Sequence, residues 1–151
     1  MNLVGILRVI LLAVLPVSEI RGALPYGVFV ERFPVFVTFG IAFLGNLLPF
    51  FLVMFLFPLV ASLLQRVQWF HRFWIWYTEK ARERFAPYRK YGRWGILIFI
   101  GIPLPFTGVW TGSLIAFLVG FKVWEVFPFV LGGVAVAGSI VLLVTLFGKG
   151  I

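Results

Sequence analysis

Two residues of opposite charge, Glu19 and Arg21, lie two positions apart in a stretch from Val9 to Val30 that is otherwise uncharged and largely apolar. A charge at bilayer depth is costly unless it is paired or hydrated, so ionisable groups there often line the path of a substrate or an ion. A carboxylate in a low-dielectric pocket has its pKa raised by desolvation and lowered by a nearby guanidinium, so it can carry a proton at physiological pH. The pair therefore predicts a proton-binding or substrate-binding site. The alternative is a static ion pair that only fixes the local backbone.

The composition indicates an integral membrane protein. Hydrophobic residues make up 62% of the 151 residues and charged residues only 12%, which is more apolar surface than a soluble fold of this length can bury. The chain has no cysteine, one histidine (His71) and five acidic residues, all of them Glu. Disulfides and thiolate metal sites are thereby excluded, and a zinc site is not expected. We find no Ser/His pair or metal-binding motif, so we expect neither an enzyme nor a cofactor.

The basic residues are concentrated in one segment between two apolar halves. The net charge is +8, but the charges do not form the basic face of a nucleic-acid-binding domain. The positive-inside rule places this segment in the cytoplasm, with the chain in the inner cell membrane and anionic lipid headgroups as its partner. Aromatic residues recur in the same segment at helical spacing, which predicts an amphipathic interfacial helix. The basic residues are Arg66, Arg72, Lys80, Arg82, Arg84, Arg89, Lys90 and Arg93, and the aromatic ones are Trp69, Phe70, Phe73, Trp74 and Tyr77.

Segment lengths divide the chain into two similar halves. As a helix, Leu3–Val17 spans about 22 Å and Trp94–Ile102 about 13 Å, both short of a hydrocarbon core of about 30 Å. The run Pro103–Pro105 then bars a regular helix. By contrast, Val35–Leu64 and Val126–Phe147 are long enough to cross. Each half thus contains a short helix, a break, a short return and a full span.

The breaks are predicted at Glu19–Gly27 and at Pro103–Gly112. Paired interruptions at corresponding positions of two halves are typical of inverted-repeat transporters, with the site near the bilayer midplane. We therefore expect an all-α membrane protein with two inverted repeats, each a re-entrant hairpin plus a transmembrane helix. It forms one membrane domain, with the first repeat in 1–64, a cytoplasmic amphipathic linker in 65–93 and the second repeat in 94–151.

A second topology remains open, with four plain spans and a third helix merely kinked at Pro103 and Pro105. The two topologies differ at Lys122, which hairpins place on the same side as Lys90 and plain spans place on the opposite side.

The candidate proton and substrate site combines residues of both breaks with a polar residue of the first long helix. Asn46 is expected to hydrogen-bond a hairpin carbonyl. Thr107 and Thr111 either line a pocket with Trp110 or cap the broken helix. Arg8 has no obvious partner in the sequence. The full set is Glu19, Arg21, Pro25, Asn46, Pro103, Pro105, Thr107, Trp110 and Thr111.

Three motifs carry a resemblance to a known family. Glu19–Gly27 (EIRGALPYG), Tyr91–Gly95 (YGRWG) and Ile102–Gly112 (IPLPFTGVWTG) resemble the bacterial and archaeal small multidrug export protein family over nearly the whole chain. This resemblance implies a membrane exporter.

The layout is more distantly similar to the DedA/VTT membrane proteins, which have two facing re-entrant hairpins and are implicated in moving lipids. In that comparison Glu19 matches the acidic position of the first hairpin, and Ile102–Pro103 matches an Ile-Pro motif of the second. No arginine lies between Arg93 and Lys122, so the arginine of the second hairpin is missing and Arg21 would have to substitute for it.

The expected function is a proton-coupled secondary exporter of a small amphipathic or hydrophobic compound. The alternative is a DedA-like translocase or scramblase for a polyprenyl phosphate or phospholipid. A homodimer is compatible with both functions, because four short hydrophobic elements make a thin monomer.

Overall fold

The described part of the chain is helical, as the composition predicted. The computed structural model describes residues 2–64, 66–104, 107–148 and 150. Its α-helices are α1 (Leu3–Val14), α2 (Glu19–Phe29), α3 (Val35–Phe51), α4 (Phe57–Leu64), α5 (Gln68–Phe85), α6 (Arg93–Gly101), α7 (Val109–Val119) and α8 (Val123–Gly148). A π-helical turn, Leu52–Leu56, joins α3 to α4, and a 3-10 helix, Ala86–Tyr91, follows α5.

Two helices are long and apolar enough to cross a membrane, Val35–Leu64 with 30 residues and α8 with 26. Both were predicted from their length and hydropathy. They run antiparallel, because Phe50 packs against Phe127 with ring centroids 5.5 Å apart, whereas Phe39, earlier in α3, packs against Gly138, later in α8. The core is formed by buried residues of α1, α2, α6 and α7 that pack on these two helices.

The short helices α1 and α6 end part-way along the long ones. Ala13, near the end of α1, packs against Gly45, where an added Cβ would lie 3.0 Å from the Ala13 methyl group. Gly101, the last residue of α6, packs against Val136 in the middle of α8. The half-length predicted for both helices is therefore observed, with α1 ending at Val14 rather than at Val17.

The first break lies elsewhere than predicted. Glu19–Gly27 is not interrupted but lies within helix α2, with Pro25 inside that helix, and the chain leaves helical geometry at residues 15–18 instead. A proline inside a helix removes one backbone hydrogen bond, and α2 tolerates this loss because Ala23, Leu24 and Gly27 are buried against neighbouring helices. The turn before α2 is held by Ser18, whose hydroxyl donates to the Leu12 carbonyl.

The second break is present but shorter than predicted. Helix α6 ends at Gly101 and α7 begins at Val109, so Thr111 and Gly112 are helical rather than part of the break. Pro103 lies in the connection, and Pro105 falls outside the described residues.

Two ion pairs connect the first helix of each half to the region where its third helix begins. Arg8 of α1, for which the sequence indicated no partner, pairs with Glu31 at 3.2 Å, shortly before α3 begins. Arg93, the first residue of α6, pairs with Glu125 of α8 at 3.3 Å. The beginnings of α6 and α8 therefore lie at one end of the molecule.

The aromatic and basic segment forms a helix, α5, as its spacing predicted. Trp69 and Trp76 are exposed. Trp74 packs against Phe57 of α4, with ring centroids 4.7 Å apart. One side of α5 therefore contacts the protein, and the aromatic stripe is only in part free for a lipid surface.

Candidate functional site

Glu19 lies at the junction of the two halves. Only 3% of its surface is exposed, and its carboxylate reaches the beginning of α7, where Oε1 accepts a hydrogen bond of 3.4 Å from the Trp110 backbone N–H. A helix N-terminus carries a partial positive charge and unpaired N–H groups, which favour an anion there. The residue adopts a φ of 47°, a left-handed conformation that costs about 1–3 kcal/mol and is often found at functional sites.

Gly108 forms the surface against which the carboxylate rests. Its φ is 122°, which disfavours any residue with a side chain, and a Cβ there would collide with the Glu19 carboxylate. The backbone conformation therefore favours glycine at this position, and a larger residue would also have to displace the Glu19 carboxylate.

Arg21 connects Glu19 to the second break. Its Nη2 lies 3.5 Å from Glu19 Oε2 and donates a 2.5 Å hydrogen bond to the Thr107 carbonyl, while Nη1 donates to the Leu104 carbonyl. Both carbonyls lie in the connection between α6 and α7. The Leu104 carbonyl also accepts a hydrogen bond of 3.2 Å from the Thr107 backbone N–H, so the guanidinium joins α2 to this connection and adds to its internal bonding.

Trp110 makes the reverse connection. Its indole Nε1 donates a 2.7 Å hydrogen bond to the carbonyl of Val14, the last residue of α1. Thr107 bonds within the second break, because its hydroxyl lies 2.7 Å from both the Ile102 and the Leu104 carbonyls and shares its one proton between them. A side chain from each half thus bonds the broken backbone of the other half.

A cavity of about 470 Å³ lies beside this cluster. Arg21 is the charged side chain among the described residues that line it, and most of its wall is apolar or aromatic. The α5 helix contributes one side and the turn before α2 another. The lining residues are Pro16, Val17, Arg21, Phe57, Phe70, Phe73, Trp74, Tyr77, Thr107, Trp110 and Thr111.

The structure brings together five of the nine candidate residues. Glu19, Arg21, Thr107 and Trp110 form the bonded cluster, and Thr111 lines the cavity. The remaining four have other surroundings. Pro25 lies inside α2, half-buried Pro103 precedes Leu104 in the connection, and Pro105 is outside the described residues. Asn46 is buried in α3, and within the described chain its Oδ1 accepts no hydrogen bond.

Sequence reasoning missed two parts of this site. The first is the contact of Gly108 with Glu19, because nothing in a single glycine identifies the side chain that packs on it. The second is the aromatic wall from α5. The spacing of Phe70, Phe73, Trp74 and Tyr77 showed that they share a helix face, but a periodic pattern does not say what that face contacts.

These features define a class of protein. Two long apolar helices, two shorter helices that end part-way along them, and a charged cluster between the interrupted segments are those of a helical membrane protein. The family model described as "Putative small multi-drug export protein" matches residues 19–140, and the chain belongs to that family. The resemblance seen in the motifs is thereby confirmed, and the family is named for export rather than for an enzymatic reaction. No curated protein and no solved structure matches the chain.

Proposed function

We propose that this protein is a proton-coupled exporter of a small amphipathic or hydrophobic compound in the inner cell membrane. The observation that carries the proposal is the position of Glu19. This buried carboxylate is bonded to Arg21, which lines the cavity, and to the N-terminus of α7 in the other half. A proton on Glu19 would therefore change the bonds between the halves and the charge at the cavity wall together.

The contacts between helices support two inverted repeats with re-entrant hairpins. Helix α2 packs on α8, and α7 packs on α3, so the returning helix of each half contacts the long helix of the other half. The pair Arg93–Glu125 places the beginnings of α6 and α8 at one end. A third continuous span through α6 and α7 would instead separate the beginning of α6 from the beginning of α8.

The depth of the site supports a midplane location. Ile20, next to Glu19, packs against Gly138 near the middle of α8. Interrupted backbone is tolerated at that depth where it is buried in protein and its polar groups are satisfied. The bonds from Arg21 and Trp110 to the carbonyls of the opposite half satisfy them here.

We further propose that α5 lies in the cytoplasmic interface. Its exposed aromatic residues Trp69 and Trp76 fit the headgroup region, and its exposed basic residues fit anionic lipid. Dimer formation stays a prediction, because the exposed apolar side chains of the long helices suit lipid and a second copy equally.

The test is proton movement in proteoliposomes that contain an internal pH dye and carry an imposed pH gradient. A panel of amphipathic dyes of either charge is added, and proton flux that depends on an added compound is measured. We expect Glu19→Gln to abolish this flux while the protein stays folded. The amide has the same shape and can form hydrogen bonds, but it cannot bind and release a proton as the carboxylate does. Glu31→Gln is the matched control. This carboxylate also pairs with an arginine, but its pair lies away from the cavity.

Full compound-driven proton flux in the Glu19→Gln variant would overturn the proposal. Lipid translocation is the second candidate, favoured by the hairpin turn at the cavity edge, where Pro16 and Val17 are exposed. Movement of a fluorescent phospholipid by the wild type without any pH gradient would favour it.

A further inference from the structure

Among the described residues, the wall of the cavity beside Arg21 contains a positive charge and no negative charge. Arg21 supplies the charge among its described lining residues, whereas Glu19 lies behind Arg21 and is not part of the wall. A cationic compound in this cavity would face the guanidinium first. An anionic group would meet a charge of opposite sign in a low-dielectric setting, where the attraction is stronger than in water.

We propose that this cavity binds an amphipathic anion, and that it binds the anion together with a proton on Glu19. This inference rests on the proposed function and adds the substrate class and the sense of the coupling. Proton and substrate would occupy the protein at the same time rather than in turn. Export would then carry both outward together, driven by an outward gradient of the compound.

The coupling follows from what the two charges do for each other. While Glu19 is ionised, it offsets the charge of Arg21 at 3.5 Å and occupies the N-terminus of α7. Protonation removes this negative charge and leaves the Arg21 guanidinium without a counter-charge at the cavity wall, although its bonds to the Leu104 and Thr107 carbonyls remain. The anion is then attracted more strongly, and by linkage the bound anion favours the proton to the same extent.

Other charged groups on the neighbouring helices are held elsewhere. Arg8 of α1 pairs with Glu31, α3 contains no charged residue, and Glu125 of α8 pairs with Arg93. From α7, the group that faces Glu19 is the backbone N–H of Trp110. Arg21 is therefore the charged side chain on which the coupling depends.

The linker helix supplies the site for the apolar body of the ligand. Phe70, Phe73, Trp74 and Tyr77 line the cavity from α5, opposite Trp110 of α7. Aromatic rings bind planar apolar groups with large contact area and favourable stacking geometry. The α5 helix thus becomes part of the binding site in addition to its place at the membrane surface.

The experiment uses two probes that share a naphthalene body and carry opposite permanent charges, naphthalene-2-sulfonate and a naphthylmethyl-trimethylammonium ion. Binding to the purified full chain in a non-ionic detergent is measured by calorimetry at about pH 8 and about pH 5.5. Neither probe titrates in this range, so a pH dependence belongs to the protein. We expect the sulfonate to bind about tenfold more tightly at the lower pH, with uptake of a proton seen as a dependence of the heat on the buffer. The ammonium probe should bind more weakly than the sulfonate at both pH values.

Three variants separate the parts of the proposal. Glu19→Gln should bind the sulfonate tightly at both pH values, because the amide resembles the protonated acid. Phe73→Leu, at a lining position, should weaken sulfonate binding several-fold. Trp124→Leu, at an exposed position on α8 away from the cavity, should leave sulfonate binding unchanged. Heat from partition of the probe into detergent would be the same in both variants. Sulfonate affinity in the wild type that does not change with pH, or tighter binding of the ammonium probe, would overturn this inference alone. The proposed function fails separately, if Glu19→Gln retains compound-driven proton flux.

Discussion

Two residues with positive φ face each other at the centre of the site. Glu19 has a φ of 47° and Gly108 a φ of 122°, and the carboxylate of the first rests on the backbone of the second. Glycine adopts such a φ readily, whereas a glutamate keeps it only where surrounding contacts fix it. Here the hydrogen bonds of Arg21 and Trp110 across the two halves do so. The charge on Glu19 marked it in the sequence, but its backbone conformation and its contact with Gly108 depend on tertiary structure.

The contact predicts that Gly108→Ala is strongly destabilising. A methyl group adds unfavourable backbone energy of about 1–3 kcal/mol and displaces the Glu19 carboxylate from α7. Gly120→Ala is the comparison, because Gly120 also has a positive φ, of 85°, and an added Cβ there meets no atom within 4 Å. Its αL backbone (ψ 23°) tolerates a side chain better than the backbone of Gly108 (ψ −168°), so part of the difference in stability belongs to the backbone. Thermal unfolding in detergent should show a clearly larger loss for position 108. Equal losses would mean that the contact with Glu19 has no energetic role.

At the scale of the helices, what the sequence could predict depends on the kind of signal. Long apolar runs predicted Val35–Leu64 and α8, because span length and hydropathy act locally. Pro103 predicted the end of α6, because the effect of a proline on helical backbone is also local. The location of the first break was wrong, because Pro25 lies in a segment rich in glycine that resembles a turn, and only burial of α2 against the long helices keeps it helical. Local composition does not report that burial.

The hydrogen bond from the Trp110 indole to the last carbonyl of α1 predicts a specific role for this side chain. Trp110→Phe keeps most of the aromatic surface but removes the donor to the partly buried Val14 carbonyl. The loss of stability should be at most about 1–3 kcal/mol, which is the cost of a fully buried unpaired acceptor. Trp124→Phe, at an exposed position, should be close to neutral. Hydrogen exchange of the segment following α1 should also increase in the Trp110 variant. Unchanged stability and exchange would show that the carbonyl finds another partner.

At the scale of the whole molecule, each half contains one of two antiparallel long helices, and α2 and α7 each pack against the long helix of the other half. The two ends of the molecule, along the axes of the long helices, contain different elements. One contains the beginnings of α6 and α8, joined by Arg93 and Glu125, and the other brings Phe29 of α2 against Gly148 at the end of α8. The loop between α2 and α3 therefore lies opposite the basic linker, and an inverted repeat predicts these two regions on different sides of the membrane.

This arrangement predicts the labelling of single cysteines by an impermeant maleimide on intact cells. The chain has no native cysteine, so each variant reports one position. Cysteine at position 32 should be labelled, while cysteines at positions 90 and 122 should both be protected until the cells are permeabilised. In the proposed topology the positive linker is cytoplasmic, and the Arg93–Glu125 pair holds the beginning of α8 near it. Each variant should also unfold at the same temperature as the parent, which controls for a change of topology through misfolding. Labelling of position 122 with protection of position 90 would require α6 and α7 to cross the membrane as one span, and would contradict the re-entrant hairpin.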